Sequence, residues 1–103
     1  GVTAEQITAL LRATGLPVAY QCFKGPVQLP YLVWTEKRTA NFFADGTVYS
    51  RIRHVNVELY TAEKDPDTEA SVEHALASFA WEKTEEIWLD SEKCFENLYE
   101  FEV

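Results

Sequence analysis

Val48-Tyr49-Ser50-Arg51-Ile52-Arg53-His54-Val55-Asn56-Val57-Glu58-Leu59-Tyr60-Thr61 is the stretch around which the chain is organised. β-Branched and aromatic residues dominate it and Gly and Pro are absent, the composition of a pleated, half-buried strand. From Val55 the alternation is regular. Val55, Val57 and Leu59 take the face that should meet a core, and Asn56, Glu58 and Tyr60 take the other. Arg51 and Arg53 share the parity of Val55 and Val57, which leaves two readings of the first half. Either it projects past the core, the strand being roughly 45 Å long at about 3.3 Å per residue, or a bulge near Arg53 restores the faces.

Before this strand, Asn41 to Thr47 reads as a loop, with Asp45-Gly46 as its turn. Phe42 and Phe43 precede that turn side by side. Adjacent residues of an extended segment point in opposite directions, so one is expected to be buried while the other covers a sheet edge or meets another subunit. Upstream, Tyr31 to Lys37 reads as a strand introduced by Pro30, and Val18 to Phe23 as a shorter one ended by Lys24-Gly25-Pro26. The Gly25 to Pro30 segment between them looks like a hairpin connection. The N-terminal segment carries the signals of a helix beginning at Ala4. Thr3 and Gln6 form a capping box, Val2 and Ile7 a hydrophobic staple, and Ile7, Leu10 and Leu11 an apolar stripe, with Gly15 and Pro17 ending it.

After the long strand, Asp65-Pro66 caps and opens a second helix, and Asp67 and Glu69 complement the positive end of its dipole. Val72, Leu76 and Phe79 form its buried stripe with Ala75 beside it, leaving Glu69, Glu73 and Ser78 to lie away from the core. Trp81 to Val103 reads as a hairpin turning at Asp90-Ser91. In its last strand Phe95, Asn97, Tyr99, Phe101 and Val103 alternate with Glu96, Leu98, Glu100 and Glu102, giving one aromatic and one acidic face. Glu82, Glu85 and Glu86 add to the charge of this hairpin. The acidic face at Glu96, Glu100 and Glu102 is a solvated surface or the lining of a tube.

The resulting order is α-β-β-β-α-β-β: a single α+β domain over residues 1–103, with two helices packed on a mainly antiparallel sheet built on a long central strand. With 47 % hydrophobic and 25 % charged residues the composition is that of a globular domain. Seventeen acidic against nine basic side chains give a net charge of -8, which repels phosphates and argues against nucleic-acid binding. No apolar run is long enough to cross a bilayer and no signal-peptide pattern occurs, so a soluble, cytoplasmic chain is expected. It begins at Gly1 and contains no methionine, which points to a processed or artificial first residue. Cys22 and Cys94 fall in two expected strands, far from any metal-ligand or redox spacing, and are expected to be buried, reduced thiols.

No motif in the sequence is catalytic or ligand-binding by itself. Only His54 and His74 could serve as the base of a hydrolase, and neither lies in a recognisable arrangement. Asp65-Pro66-Asp67-Thr68-Glu69 resembles the start of a calcium loop, but Ala70 and Leu76 stand where the loop needs Gly and Glu. No Gly-rich phosphate loop is present. The residues imply no enzyme, no metal and no cofactor.

Taken together and in order, several short motifs resemble one family. They are Leu16-Pro17-Val18-Ala19-Tyr20, Asn41-Phe42-x-Ala44-Asp45, Val48-Tyr49, Glu58-Leu59-Tyr60-Thr61, Lys64-Asp65-Pro66 with Glu69 and Val72-Glu73, Ser91-Glu92-Lys93 and Leu98-Tyr99-Glu100. The family is that of small tail-terminator or tail-completion (head-tail joining) proteins of tailed phages and prophages of Gram-positive bacteria. The resemblance implies a ring, commonly a hexamer, at the head-proximal end of the tail tube, with the major tail-tube protein and the head-tail connector proteins as partners. It places the protein in the virion, and in the host cytoplasm during assembly. Trp34 and Phe43 depart from the family pattern. A ring needs two different patches on each subunit. One is expected at Asn41, Phe42, Phe43, Ala44, Asp45, Tyr49, Arg51 and Arg53, where aromatic residues and the excess length of the strand coincide. Two alternatives are a head-side connector or stopper and an α+β module that binds a small ligand or a protein between helix and sheet.

Overall fold

The computed structural model describes the backbone of residues 2–42 and 49–103, and within them the side chains of 2–37 and 52–103. The elements are α1 (Ala4–Arg12), β1 (Val18–Tyr20), β2 (Tyr31–Phe42), β3 (Tyr49–Thr61), α2 (Pro66–Ala75), β4 (Glu82–Leu89) and β5 (Cys94–Glu102). The five strands form one mixed sheet in the order β1-β2-β3-β5-β4. Both helices cover the same face of it. Single-domain α+β architecture with the expected element order is therefore what the chain adopts.

Local signals account for both helix starts. Thr3 Oγ1 accepts from the Gln6 N–H at 3.1 Å while Gln6 Oε1 accepts from the Thr3 N–H at 2.8 Å, closing the capping box. Asp65 Oδ1 accepts from the Thr68 N–H at 3.2 Å and Oδ2 from the Thr68 hydroxyl at 2.7 Å. These bonds, the hydroxyl's foremost, hold the Asp65 carboxyl below its ordinary pKa. Gly15 has φ +86°, the left-handed turn that leads the chain out of α1. α2 ends at Ala75, earlier than its apolar stripe, and Phe79 reaches the core from beyond it by stacking on Phe101 at 4.5 Å.

Ile7 and Leu11 of α1, and Val72 of α2 with its C-cap Leu76, press on Leu32, Trp34, Val55, Val57, Leu59, Tyr99 and Phe101 of the sheet. Each large side chain buried this way contributes on the order of 1.5–3 kcal/mol of transfer free energy. The Trp34 indole N–H donates to Thr8 Oγ1 at 3.2 Å, so the largest core residue has its polar atom satisfied by the helix above it. Val55, Val57 and Leu59 face the helices as the alternation requires.

Three expectations are corrected. β1 ends at Tyr20 and not at Phe23, because Gln21 adopts φ 68° and turns the chain out of the extended path. Cys22 consequently lies past the strand and is exposed, whereas Cys94 is buried and burial raises its thiol pKa. Secondly, β1 and β2 are parallel, with Val18 opposite Leu32, so residues 21–30 form no hairpin. β1 is only three residues long, roughly 10 Å, which lets a short connection return to the same end of the sheet. Along it Phe23 meets Tyr31 edge-on at 5.3 Å, and Tyr31 stacks on Tyr60 at 5.1 Å, on the face away from the helices.

Thirdly, β2 continues to Phe42, five residues past the expected end at Lys37. Asn41 and Phe42 are strand residues paired with Ser50 and Tyr49, not loop residues. The β2–β3 register is continuous from Tyr31↔Tyr60 to Phe42↔Tyr49 without a bulge, which decides between the two readings of Arg53 in favour of projection. β5 pairs with β3 only from His54 onward, and β1 with β2 only at Leu32–Trp34. The five pairs from Arg38↔Arg53 to Phe42↔Tyr49 therefore form a two-stranded ribbon about 17 Å long with no third strand among the described residues. The radius of gyration is 15.4 Å, against about 13 Å for a compact chain of this length.

Candidate functional site

Two surfaces and one groove stand out once the sheet is oriented. The first surface is the ribbon. Asn41 and Phe42 lie on its β2 side and Tyr49, Arg51 and Arg53 on its β3 side, so the register brings five of the eight expected interface residues together. Phe43, Ala44 and Asp45 lie outside the described residues. Arg53 sits at the ribbon's root and is committed within its own subunit. Its Nε and Nη2 donate to Glu36 at 2.9 and 2.7 Å, and its Nη1 donates to the Val2 carbonyl at the start of α1. Arg53 thus closes the end of the core beneath the ribbon. It keeps the parity of Val55 because a bidentate carboxylate waits for it on the helix side.

The second surface is the helix-free face of β3, β5 and β4. Glu96, Glu100 and Glu102 all project there, as the alternation of β5 requires, and the register adds Glu58 from β3 and Glu82 and Glu85 from β4. Glu82 lies directly opposite Glu100. The Tyr60 hydroxyl donates to Glu58 at 2.6 Å. Burial pushes the Glu96 carboxyl up; the Tyr60 hydroxyl works against this, while a hydrogen bond that protonated Glu96 donates to Glu85 and the charges of Glu58 and Glu85 reinforce it. His54 Nδ1 lies 3.6 Å from Glu102 at one end of this group, with Lys37 opposite His54 on the neighbouring strand. Ile87 and Leu98 add apolar surface between the carboxylates.

The groove runs under α1, with a volume of about 1300 Å³. Its walls include Ala4, Thr8, Tyr20, Trp34, Glu36 and Arg53. Tyr20 meets Trp34 edge-on at 4.7 Å and remains half-exposed at the groove's mouth.

A polar cluster between α2 and β4 went unread in the sequence. Glu69 and Glu73, expected to lie away from the core, face it: the Glu69 side chain is only 5 % exposed and Glu73 receives the Tyr99 hydroxyl at 2.8 Å. Lys83 Nζ lies 2.8 Å from Glu69, 3.0 Å from Glu73 and 3.3 Å from Glu86. Lys64 Nζ lies 2.8 Å from Glu69 and 2.6 Å from Glu86. Burial pushes the Glu69 carboxyl up, but the hydrogen bonds from Lys64 and Lys83 outweigh it and hold the group below its ordinary pKa. Nearby in β5, the Asn97 amide is fully buried and finds no hydrogen-bond partner among the described residues. The signal that could have revealed the cluster is Lys83, a lone lysine in a strand opposite a core tyrosine.

Among the described residues no three His, Cys, Asp or Glu side chains converge to hold a metal, and no helix is long and apolar enough to cross a membrane. Fold and surfaces define a small α+β protein with a projecting ribbon and one uncovered sheet face. No model of a protein family matches the chain, and neither does any curated protein.

Proposed function

We propose that this chain is a structural subunit that associates with copies of itself through its projecting ribbon, and that the assembly is a tail-terminator ring. In this reading a closed ring, of about six subunits as in the family it resembles, sits on the head-proximal end of a phage tail tube and joins it to the head connector. The observation that carries the self-association is the ribbon. A two-stranded β-ribbon is marginal alone in water, yet the four pairs beyond Arg53 are retained with no third strand among the described residues paired to them. The phage assignment rests on the ordered motifs from Leu16 to Glu100 and on the α+β order they share with terminators.

Absolute mass in solution by light scattering across concentrations tests the first part. Species of about six subunits are expected, alone or when purified tail-tube protein is added. A ring that caps tubes and limits their length supports the terminator role, whereas a ring indifferent to tubes but bound by head-connector proteins would move it to the head side.

One observation favours a second reading, a module that binds a small ligand or a peptide between helix and sheet. The groove beneath α1 is large and combines apolar walls with the Arg53–Glu36 pair. That reading requires a monomer with a saturable ligand that covers Tyr20, the half-exposed aromatic at the groove's mouth.

A further inference from the structure

The ribbon and the open sheet face bear charge of opposite sign, and each places like charges directly across a ladder. On the ribbon Arg38 is opposite Arg53, and Arg51 shares their strand parity, as do Phe42 and Tyr49. Residues 37–42 and 49–54 hold Lys37 and these three arginines with no acidic residue among them. On the face Glu82 is opposite Glu100, while Glu85, opposite Leu98, is the diagonal neighbour of Glu96. No Lys or Arg occupies the open-face positions of β3, β4 or β5. Like charges placed opposite each other weaken a sheet, so the Glu82–Glu100 pair of the face would be relieved by a cationic partner, and the ribbon, with Arg53 already held by Glu36, offers Arg38 and Arg51. Apolar character matches as well: aromatic residues lie among the ribbon's arginines, and Ile87 and Leu98 among the glutamates.

We infer that the ribbon of one subunit, whose strands carry Arg38 and Arg51, docks on the open β3-β5-β4 face of a second copy, which carries Glu82, Glu85, Glu96 and Glu100. This rests on the self-assembly reading and specifies its contact. The dimensions agree, because three strands about 4.8 Å apart and nearly 30 Å long present a face that takes a ribbon of roughly 17 by 10 Å. The two patches differ and lie on different parts of the subunit, so the contact is head-to-tail and propagates until it closes. About ten ribbon residues make an interface at the small end of stable contacts, typically 20–30 residues a side. Association is accordingly concentration-dependent, and salt weakens it by screening the charges. The acidic face becomes a protein contact and not the wall of a DNA channel.

The test uses two doubly substituted full-length chains. One reverses the face with Glu82→Lys and Glu100→Lys, neither of which takes part in an ion pair among the described residues. The other reverses the ribbon with Arg38→Glu and Arg51→Glu. Sedimentation velocity should show each variant alone self-associating about tenfold or more weakly than the unsubstituted chain, since like charges then meet at the interface. Mixed in equal amounts they should assemble again: the acidic ribbon of one meets the basic face of the other, and the basic ribbon of the second meets the acidic face of the first. Chains that had failed to fold could not be rescued by mixing, and circular dichroism of each variant checks this separately.

If the unsubstituted chain assembles and either variant assembles equally well, the docking geometry is wrong and the ring stands. Face variants that assemble normally and fail only in passing DNA would give the acidic face to the DNA path and overturn the inference. Loss in both variants without rescue on mixing overturns it too. An unsubstituted chain that remains monomeric at every concentration and salt also overturns it, and the capping of tail tubes then remains the independent test of the ring.

Discussion

Replacing Lys83 with Met should destabilise the domain far more than a strand-edge lysine normally would. Met keeps the length of the side chain and removes the ammonium. In the native protein two ammoniums, those of Lys64 and Lys83, serve three carboxylates, those of Glu69, Glu73 and Glu86. After the substitution one ammonium remains, and it belongs to Lys64, whose side chain is 48 % exposed and screened by water, while Glu69 stays 5 % exposed. An exposed ion pair contributes about 0–1 kcal/mol, and breaking a buried one costs about 3–5 kcal/mol. With Lys64 still in place, a loss of about 2–3 kcal/mol is expected, from the lower part of the buried range. At roughly 4–8 °C per kcal/mol for a domain of this size the melting temperature should fall by about 10–20 °C. Urea unfolding at pH 7, followed by far-ultraviolet circular dichroism, measures the difference directly. A change within about 0.5 kcal/mol would refute the claim that Lys83 compensates a buried charge. Replacing Glu69 with Leu in the same chain should restore part of the loss, because it removes the stranded carboxylate. The pH dependence has a defined sign. Glu69 has a folded pKa below its ordinary value of 4.5. Its contribution is therefore fully present above about pH 4.5 and is lost as pH falls through the lower folded value, so the gap between native and Lys83→Met chains should narrow in acid.

Two further substitutions test the packing. Asn97→Leu should stabilise the domain by about 1 kcal/mol, since it replaces a buried amide without a partner among the described residues by an apolar side chain of similar branching; a raised urea midpoint checks it, and a lowered one would mean that the amide is satisfied. Gly15→Ala should cost about 1 kcal/mol, because the space around it is open and the only penalty is φ +86°. Gly15→Asn should lose less, as Asn tolerates the left-handed region, and equal thermal midpoints for the two would contradict the backbone argument.

What the sequence disclosed divides along physical lines. Val55, Val57 and Leu59 announced their face because burial and polarity alternate with the same period as the pleat, and Thr3 and Asp65 announced their helices because capping is local. The direction of β1 was not legible. Gly25, Pro26 and Pro30 mark a change of path, but strand composition does not record whether the neighbour runs parallel. Glu69 was misread for a similar reason. An acid in the first turn of a helix is explained by the dipole alone, and its counter-charges come from Lys64 in the preceding loop and from Lys83 on a strand fourteen positions later. Of the eight residues expected at an interface, five share the ribbon, and one of those, Arg53, serves the fold as well.

That double use of Arg53 marks the border between what folds the subunit and what is left for a partner. On the core side of it, buried side chains find their contacts within the chain, and even the arginine that breaks the alternation is neutralised by Glu36. Beyond it the same two strands continue for four pairs with their outer edges unpaired by any described strand of the chain. Four of the nine Lys and Arg residues fall in 37–42 and 49–54, and none of the seventeen Asp and Glu residues does. A long unpaired ribbon is a hazard that proteins usually shorten, bulge or cover. Here it is regular, and its cationic charge repels a second ribbon while favouring an acidic surface. The exposed acidic face of β4 and β5 deters edge-to-edge pairing in the same way. Each feature discourages aggregation of like with like, and the contact they leave open is the heterologous one. Substitutions beyond Arg53 should therefore alter assembly at nearly constant stability, whereas those at Lys83 or Trp34 should alter stability first.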